Sequence, residues 1–526
     1  MSYLLGIDVG TTGTRAVLVN EAGQVVAGAT AEHLPMATPK PGWAEQDPAD
    51  WWRATVQAVR QVLEAADVAG ENIRGIGLSG QMHGVVLLDA GGEVLRPSII
   101  WCDQRSQSQC DWITEHVGRE RLIELTCNPA LTGFSAPKLL WIREHEPGTY
   151  DKVRHLLLPK DYVRFRLTGE FATEVSDASG TLLFDVRSRS WSQEMLRLLE
   201  IDPMILPAAH ESPVVSARVS REAARETGLS AGTPVVGGGG DQAAGGVGNG
   251  IVKAGIVSST IGTSGVVFAF SEEPVLDPKG RVHTFCHAVP GKWLVMGVTQ
   301  GAGLSLRWFR DNFGQIETQA ATLSGSDVYD LLVDEAAGVQ PGSEGLLYLP
   351  YLMGERTPHL DANARGVFFG LTARHNRCHV IRSILEGVAY SLRDALEILR
   401  EMGIPLAQIR ASGGGGKSAL WRQIQADVFG VEVVAATAGE GPAYGAALLA
   451  GVGTEVWDNV ETACEAGIRE VQMHEPEPHH VRQYETYYSI YRQLYPTLKP
   501  WFDALAQPMS GSAPLSLGFG ATDWQE

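Results

Sequence analysis

The chain has 526 residues, of which 44% are hydrophobic and 20% charged, enough apolar material for several domains with buried cores and too little net charge for a disordered chain. Lys plus Arg total 42 against 61 Asp plus Glu, a formal charge of -19 that repels phosphate backbones and anionic lipid and so excludes nucleic acid and membrane surfaces as partners. A small anionic ligand stays open, because backbone N–H groups bind phosphate whatever the global charge.

Sixty residues are glycine and they fall in clusters, which points to backbone approached closely by something. The six cysteines, Cys102, Cys110, Cys127, Cys286, Cys378 and Cys464, are never spaced as CxxC, so neither a zinc site nor a disulfide framework is signalled. Asp8 interrupts the first apolar stretch with no basic residue before it; a signal peptide fails, and a cytoplasmic location is expected.

In chain order, Tyr3 to Val9, a GTTG turn at Gly10 to Gly13, Thr14 to Asn20 and Val25 to Ala31 predict three antiparallel strands. Pro48 to Ala66 carries Trp52, Val56, Val59 and Leu63 at helical spacing, and Ile73 to Ser79 and Val85 to Leu88 return to strand character. Much later, Gly255 to Ile261, a GTSG turn at Gly262 to Gly265 and Val266 to Phe270 repeat the first hairpin, with Gly262 standing where that hairpin has Gly10. This reads as an internal duplication: two similar α/β domains, 1–245 and 246–506, facing each other across a ligand cleft. Val380 to Leu399 predicts a buried helix stopping at Gly403, and Leu420, Ile424 and Val428 a second one stopping at Gly430. Residues 507–526 are rich in Ser, Gly, Pro and Ala and read as a flexible tail.

Five segments could carry chemistry. Asp8 with Gly10, Thr11, Thr12 and Gly13 offers N–H groups and hydroxyls to phosphate oxygens; a lone GTTG is more often an ordinary turn, but its GTSG partner makes the pair specific. Asp8 stands where the second hairpin has Thr260, which suits a Mg²⁺ role through water. Gly413 to Gly416 with Lys417 and Ser418 fails the Walker A spacing, because Ala411 stands at its first glycine; the run suits an adenine or ribose against bare backbone, or plain packing of strand on helix. Asp241 after four glycines is a helix cap or a base accepting a hydroxyl proton. Ser79 to Gly84 and Trp101 to Arg105 end two apolar runs in polar groups suited to a polyhydroxylated ligand, against the blander reading of His83 as a structural histidine. His474, His479 and His480 read as an exposed loop rather than a metal site.

The hairpin pair, GGGGDQ and GGGGKSALW resemble the FGGY carbohydrate kinases, of the actin, hexokinase and Hsp70 (ribonuclease H-like) fold, over residues 3 to about 495. Two family signatures stand in the chain: GFSAPKLLWIREH from Gly133 to His145 and GVFFGLTARHNRCHVIRSILE from Gly366 to Glu386. The SGQMHG and IIWCDQR segments are most similar to members acting on D-xylulose. The resemblance implies ATP-dependent phosphorylation of D-xylulose at its 5-hydroxyl, with Mg²⁺ as cofactor and a homodimer. By similarity Asp241 is the catalytic base and Asp8 positions Mg²⁺; Met82, His83 and Gln242, with Trp101 and Asp103, hold the sugar. Thr11, Thr12, Gly13, Gly262 and Thr263 match phosphate positions, and Gly303, Gly414 and Ser418 match positions near the nucleoside. The alternatives are a relative acting on another ketose or polyol, a P-loop kinase using Lys417, and a nucleotide-driven chaperone-like or scaffold ATPase on the same fold.

Overall fold

The computed structural model describes residues 2–436 and 441–506; the expected tail at 507–526 lies outside the described residues. Two seven-stranded sheets are built on one plan. In the first, Tyr3–Val9 is central, antiparallel to Gly13–Asn20 and parallel to Ile73–Gly80, with Val25–Glu32 beyond on one side and Pro234–Val236 and Val215–Arg218 on the other. In the second, Gly255–Ile261 takes the same place, antiparallel to Gly265–Ser271 and parallel to Leu406–Gly413. The duplication read from two turns is therefore a duplication of sheet topology. The registers agree to the residue: Asp8 lies beside Ser79, and Thr260 beside Ser412.

Asp47 caps the helix Pro48–Ala66 by accepting the Ala49 N–H at 2.9 Å, and the helix buries Trp51, Trp52, Ala58 and Val62 in the core of the first sheet. Helix Arg377–Glu401 opens on a capping box at Asn376 and is buried along most of its length in the second core. His479 and His480 do not lie in a loop. They begin the helix Pro478–Ala506, whose Tyr484, Tyr488 and Tyr491 are buried, while His474 ends the edge strand Glu470–His474. The Glu and Pro residues around them resemble loop composition, but a proline in the first turn costs no hydrogen bond.

The two halves are joined by a helix pair rather than only by the chain. Helix Gly441–Gly453, late in sequence, lies on the first sheet and crosses helix Asp241–Gly248. Glycine makes both contacts possible. A β-carbon on Gly6 would lie 1.8 Å from the Ala443 carbonyl oxygen and one on Gly77 1.9 Å from that of Ala446. Across the helix pair, a β-carbon on Gly445 would lie 1.9 Å from the Ala244 oxygen. Part of the glycine excess thus serves backbone-on-backbone packing and not a ligand. Among the described residues no helix is long and apolar enough to cross a membrane.

Candidate active site

The floor of the cleft is made where strands of the first sheet end. Gly238, at φ 76, passes so close to Ile73–Gly80 that a β-carbon would lie 1.9 Å from the Leu78 oxygen. Gly239 and Gly240 then pair with Ser79 and Gly80, and the Gly240 N–H donates to Ser176 Oγ at 3.0 Å. Behind this turn Lys160 meets Asp161 at 2.6 Å, Asp177 at 3.3 Å and Glu174 at 3.5 Å, all fully buried. The chain is thereby fixed as it delivers Asp241 to the first turn of Asp241–Gly248, near Asp8.

Both carboxyls open partly to the cleft but are enclosed by protein. Burial pushes Asp241 up to about 7, with the negative charge of Asp8 adding to the effect. Burial pushes Asp8 up to about 6, offset in part by the nearby Ser79 hydroxyl. Asp8 Oδ1 is buried with no hydrogen-bond partner in the protein. Among the described residues no three His, Cys, Asp or Glu side chains cluster as a metal cage, so a fully protein-ligated ion does not fit. Mg²⁺ does fit, because it keeps several waters and takes one or two carboxylates alongside substrate phosphates.

Met82 is buried against Gly240, where a β-carbon would strike its Cγ at 2.9 Å. His83 sits at φ 71, a left-handed conformation uncommon outside glycine. Its carbonyl is held there by Ser135 Oγ at 3.1 Å and Lys138 Nζ at 3.2 Å. Its Nδ1 lies 2.8 Å from the Gly180 carbonyl oxygen; a carbonyl only accepts, so Nδ1 carries the hydrogen. Burial, with the positive charges of Lys138 and Arg356, pushes the ring down to about 3. His83 is therefore neutral at physiological pH, with Nε2 as an acceptor. Gln242 Nε2 reaches to 3.4 Å from Asp241 Oδ1. Trp101 stands exposed at the cleft edge, its Nε1 donating to Thr11 Oγ1 at 3.0 Å. Asp103 is not brought to this wall: its carboxylate is fully buried, accepting from the Ala44 N–H at 2.5 Å and paired with Arg105 at 2.8 Å.

The two turns occupy equivalent places in their sheets but close differently, the first over three residues and the second over two. Gly10 N–H donates to the Gly13 oxygen and Gly262 N–H to the Ser264 oxygen, each at 3.0 Å. Gln81 and Gln46 brace the first turn through the Gly10 and Thr11 carbonyls, at 3.2 and 2.7 Å, leaving Thr12 exposed. In the second, Gly303 N–H donates to the Gly262 oxygen at 2.8 Å as it opens helix Gly303–Phe313, and Arg307 donates to Thr263 Oγ1 at 3.0 Å. The glycine run divides by cause. A β-carbon on Gly413, Gly415 or Gly416 would lie 2.5 to 2.7 Å from Ile261 or Ser412, whereas one on Gly414 would meet nothing nearer than 3.9 Å. Packing requires glycine at three of the four positions; Gly414 alone is bare toward solvent without such a reason. Ser418 caps helix Ala419–Phe429 by accepting the Trp421 N–H at 3.2 Å. A cavity of about 600 Å³ brings Asp241 and Gln242 together with Thr260, Ser412, Gly413 and Lys417; Met82, His83, the turn residues Thr11 to Gly13, Gly262 and Thr263, and Gly303, Gly414 and Ser418 do not line it.

Lys138, Ser176, Gln46 and Gln81 were not singled out from the sequence as supports of the site. Each acts on a backbone atom contributed by a distant segment, and such a partner leaves no spacing to read; only the positions of Gln81 inside SGQMHG and of Lys138 inside GFSAPK pointed to the site.

Comparison with known proteins agrees with this arrangement. The chain matches the N-terminal domain of the FGGY family of carbohydrate kinases over residues 3–248 and its C-terminal domain over residues 257–454. It is 40% identical over 505 residues to the "Xylulose kinase" of Bacillus subtilis (strain 168), covering 96% of this chain and 99% of that one. It is 33% identical over 512 residues to the "Gluconokinase" of the same organism, covering 97% and 99%. A crystal structure of a "xyloylose kinase" from Brucella ovis superposes with a TM-score of 0.86 at 36% identity, covering 95% of this chain and all of that one. With two sheets duplicated about a cleft, two carboxyls at its floor and these relatives along nearly its whole length, the chain belongs to the FGGY family of carbohydrate kinases and is a sugar kinase.

Proposed function

We propose that the protein transfers the γ-phosphoryl group of ATP to the 5-hydroxyl of D-xylulose, giving D-xylulose 5-phosphate and ADP, with Asp241 as general base. The observation that carries this reading is Asp241 itself: a carboxyl held at the cleft floor, with its pKa pushed up to about 7, where a base is both sufficiently deprotonated and basic enough to take a hydroxyl proton. The neutral Nε2 of His83 accepts a hydrogen bond from a sugar hydroxyl, and Met82 gives the sugar an apolar floor beside Gly240. As the acceptor oxygen attacks the γ-phosphorus, its proton passes to the Asp241 carboxylate and ADP leaves with the bond electrons. Asp8, through water, is the residue that would hold Mg²⁺, which neutralises phosphate charge when bound. The two turns place Thr11 to Gly13 and Gly262 with Thr263 beside the phosphates, Gly262 closing its own turn through its N–H, and Gly414 lies against the nucleoside. Asp103 serves the sugar wall indirectly, fixing the segment that carries Trp101.

The identity of the xylulose kinases supports the substrate, and the gluconokinase relative keeps a sugar acid as the second reading. ADP release at fixed Mg²⁺ and ATP, with D-xylulose, L-ribulose, D-ribulose, gluconate, glycerol or no sugar, separates them. The expected outcome is strongest stimulation by D-xylulose; gluconate above it moves the specificity, and no stimulation by any acceptor overturns the kinase substrate altogether.

Gly414→Val tests the nucleoside position. Its β-carbon has room in the protein, so the melting temperature should hold within a few degrees while the KM for ATP rises on the order of tenfold, the effect of losing one close ligand contact. An unchanged KM for ATP removes Gly414 from the site.

A further inference from the structure

The loop after strand Leu347–Leu349 carries Arg356 from the second half of the chain to the sugar wall of the first. Its backbone is pinned on both sides. Buried Glu355 accepts the N–H groups of Gln300 at 2.9 Å and Arg356 at 2.6 Å, and Thr357 exchanges hydrogen bonds with Val298, N–H to carbonyl at 2.9 Å and Val298 N–H to Oγ1 at 3.1 Å. The side chain leaves this anchor toward Gly133: a β-carbon there would lie 3.9 Å from Arg356 Nη2 and 3.3 Å from the Trp101 carbonyl. The guanidinium thus lies in ordinary contact range of Gly133, on the segment that also meets the Trp101 carbonyl.

Among the described residues, no carboxylate pairs with this guanidinium, and burial alone shifts it, down to about 10. The guanidinium is only half-buried and none of its nitrogens is among the atoms shut off without a partner, so its donors stay open to a ligand. Arginine presents a planar fork of donors suited to two adjacent oxygens, so the ligand group it fits is oxygen-rich. Its position along the cleft follows from its neighbours. Its charge bears on His83 and His283, whereas the groups that bear on Asp241 are Asp8 and Gln242. The fork therefore stands beside His83 and His283 rather than beside Asp241.

Resting on the sugar-kinase reading of this cleft, we propose that Arg356 is a specificity-determining residue, whose guanidinium binds the paired oxygens at the end of the substrate remote from the phosphorylated hydroxyl. In a 2-ketose these are the 1-hydroxyl and 2-keto oxygens; in a sugar acid they are the carboxylate.

The test is steady-state kinetics of Arg356→Met, Arg356→Gln and Arg356→Lys with D-xylulose and with gluconate, alongside sugar-free ATP hydrolysis and thermal melting. Arg356→Met should raise the KM for D-xylulose on the order of tenfold or more, the usual effect of losing a hydrogen bond to a charged group, with the KM for ATP within about twofold and no loss of melting temperature. Arg356→Gln, which keeps donors without charge, should retain more activity toward D-xylulose than toward gluconate, and Arg356→Lys should recover part of both. An unchanged sugar KM in Arg356→Met, or a rise in the KM for ATP instead, overturns the inference alone. If the parent enzyme phosphorylates no acceptor in the wider panel, the substrate reading falls and the inference falls with it.

Discussion

Asp241→Asn should cut turnover on the order of 10² to 10⁴-fold, the range in which a positioned general base contributes, while the protein folds and melts at a higher temperature than its parent at pH 8. The second half of this expectation follows from burial. In the unfolded chain Asp241 ionises near its ordinary 3.8, and in the folded protein near 7. Between those values the folded state keeps a proton that the unfolded chain has lost, so stability falls as pH rises through that window and stays lower above it. Asparagine cannot ionise and escapes this loss. The variant should therefore gain most above pH 7, and the two melting curves should converge toward pH 4. In the parent, kcat/KM should fall on the acid side with a midpoint near 7, where the base becomes protonated. Turnover near normal in the variant overturns the catalytic role; a variant less stable than the parent at pH 8 overturns the electrostatic account.

Gly445→Val should destabilise the protein by about 3 kcal/mol or more, at or above the upper end of what overpacking costs. The added β-carbon would meet the Ala244 oxygen at 1.9 Å and the Gly248 nitrogen at 2.8 Å. Both are backbone atoms, so no rotamer change relieves them, and the helices must separate. The same clash lies between the two halves, so surviving protein should also bind sugar and ATP more weakly. Gly338→Ala is the control: its φ is -79 and nothing lies within 4 Å of the added atom, so denaturant melts should shift by less than about 0.5 kcal/mol. Equal stability of Gly445→Val and parent would mean that the helix pair does not need its close approach.

Much of this architecture is legible in the sequence because it is local. Tyr3 to Val9, Gly255 to Ile261 and Pro48 to Ala66 have the bounds that alternation, turn and capping residues give them. The two hairpins were readable as a pair because equivalent turns keep equivalent residues. What escaped was long in range. No periodicity announces that helix Gly441–Gly453 returns to cover the first sheet, or that Gly6 and Gly77 are small on its account. The same holds within the site: Asp241, Asp8, Met82 and His83 sit in conspicuous motifs, whereas Ser176, Lys138 and Arg356 come from segments brought together only by folding. Asp103 shows the converse, a polar residue beside a conspicuous tryptophan whose buried environment assigns it to an internal ion pair.

The difference between the twin hairpins at residues 8 and 260 bears on which way round a ligand lies. A cleft between identical halves would accept a row of phosphates in either of two directions with equal energy. Here one wall offers the carboxylate of Asp8, while its counterpart Thr260 spends its hydroxyl on Ser412 Oγ at 2.7 Å. That single inequality breaks the twofold degeneracy. It gives the cleft a polarity before any substrate enters, and under the proposed reaction that polarity puts the acceptor side with the first half of the chain and the leaving group with the second.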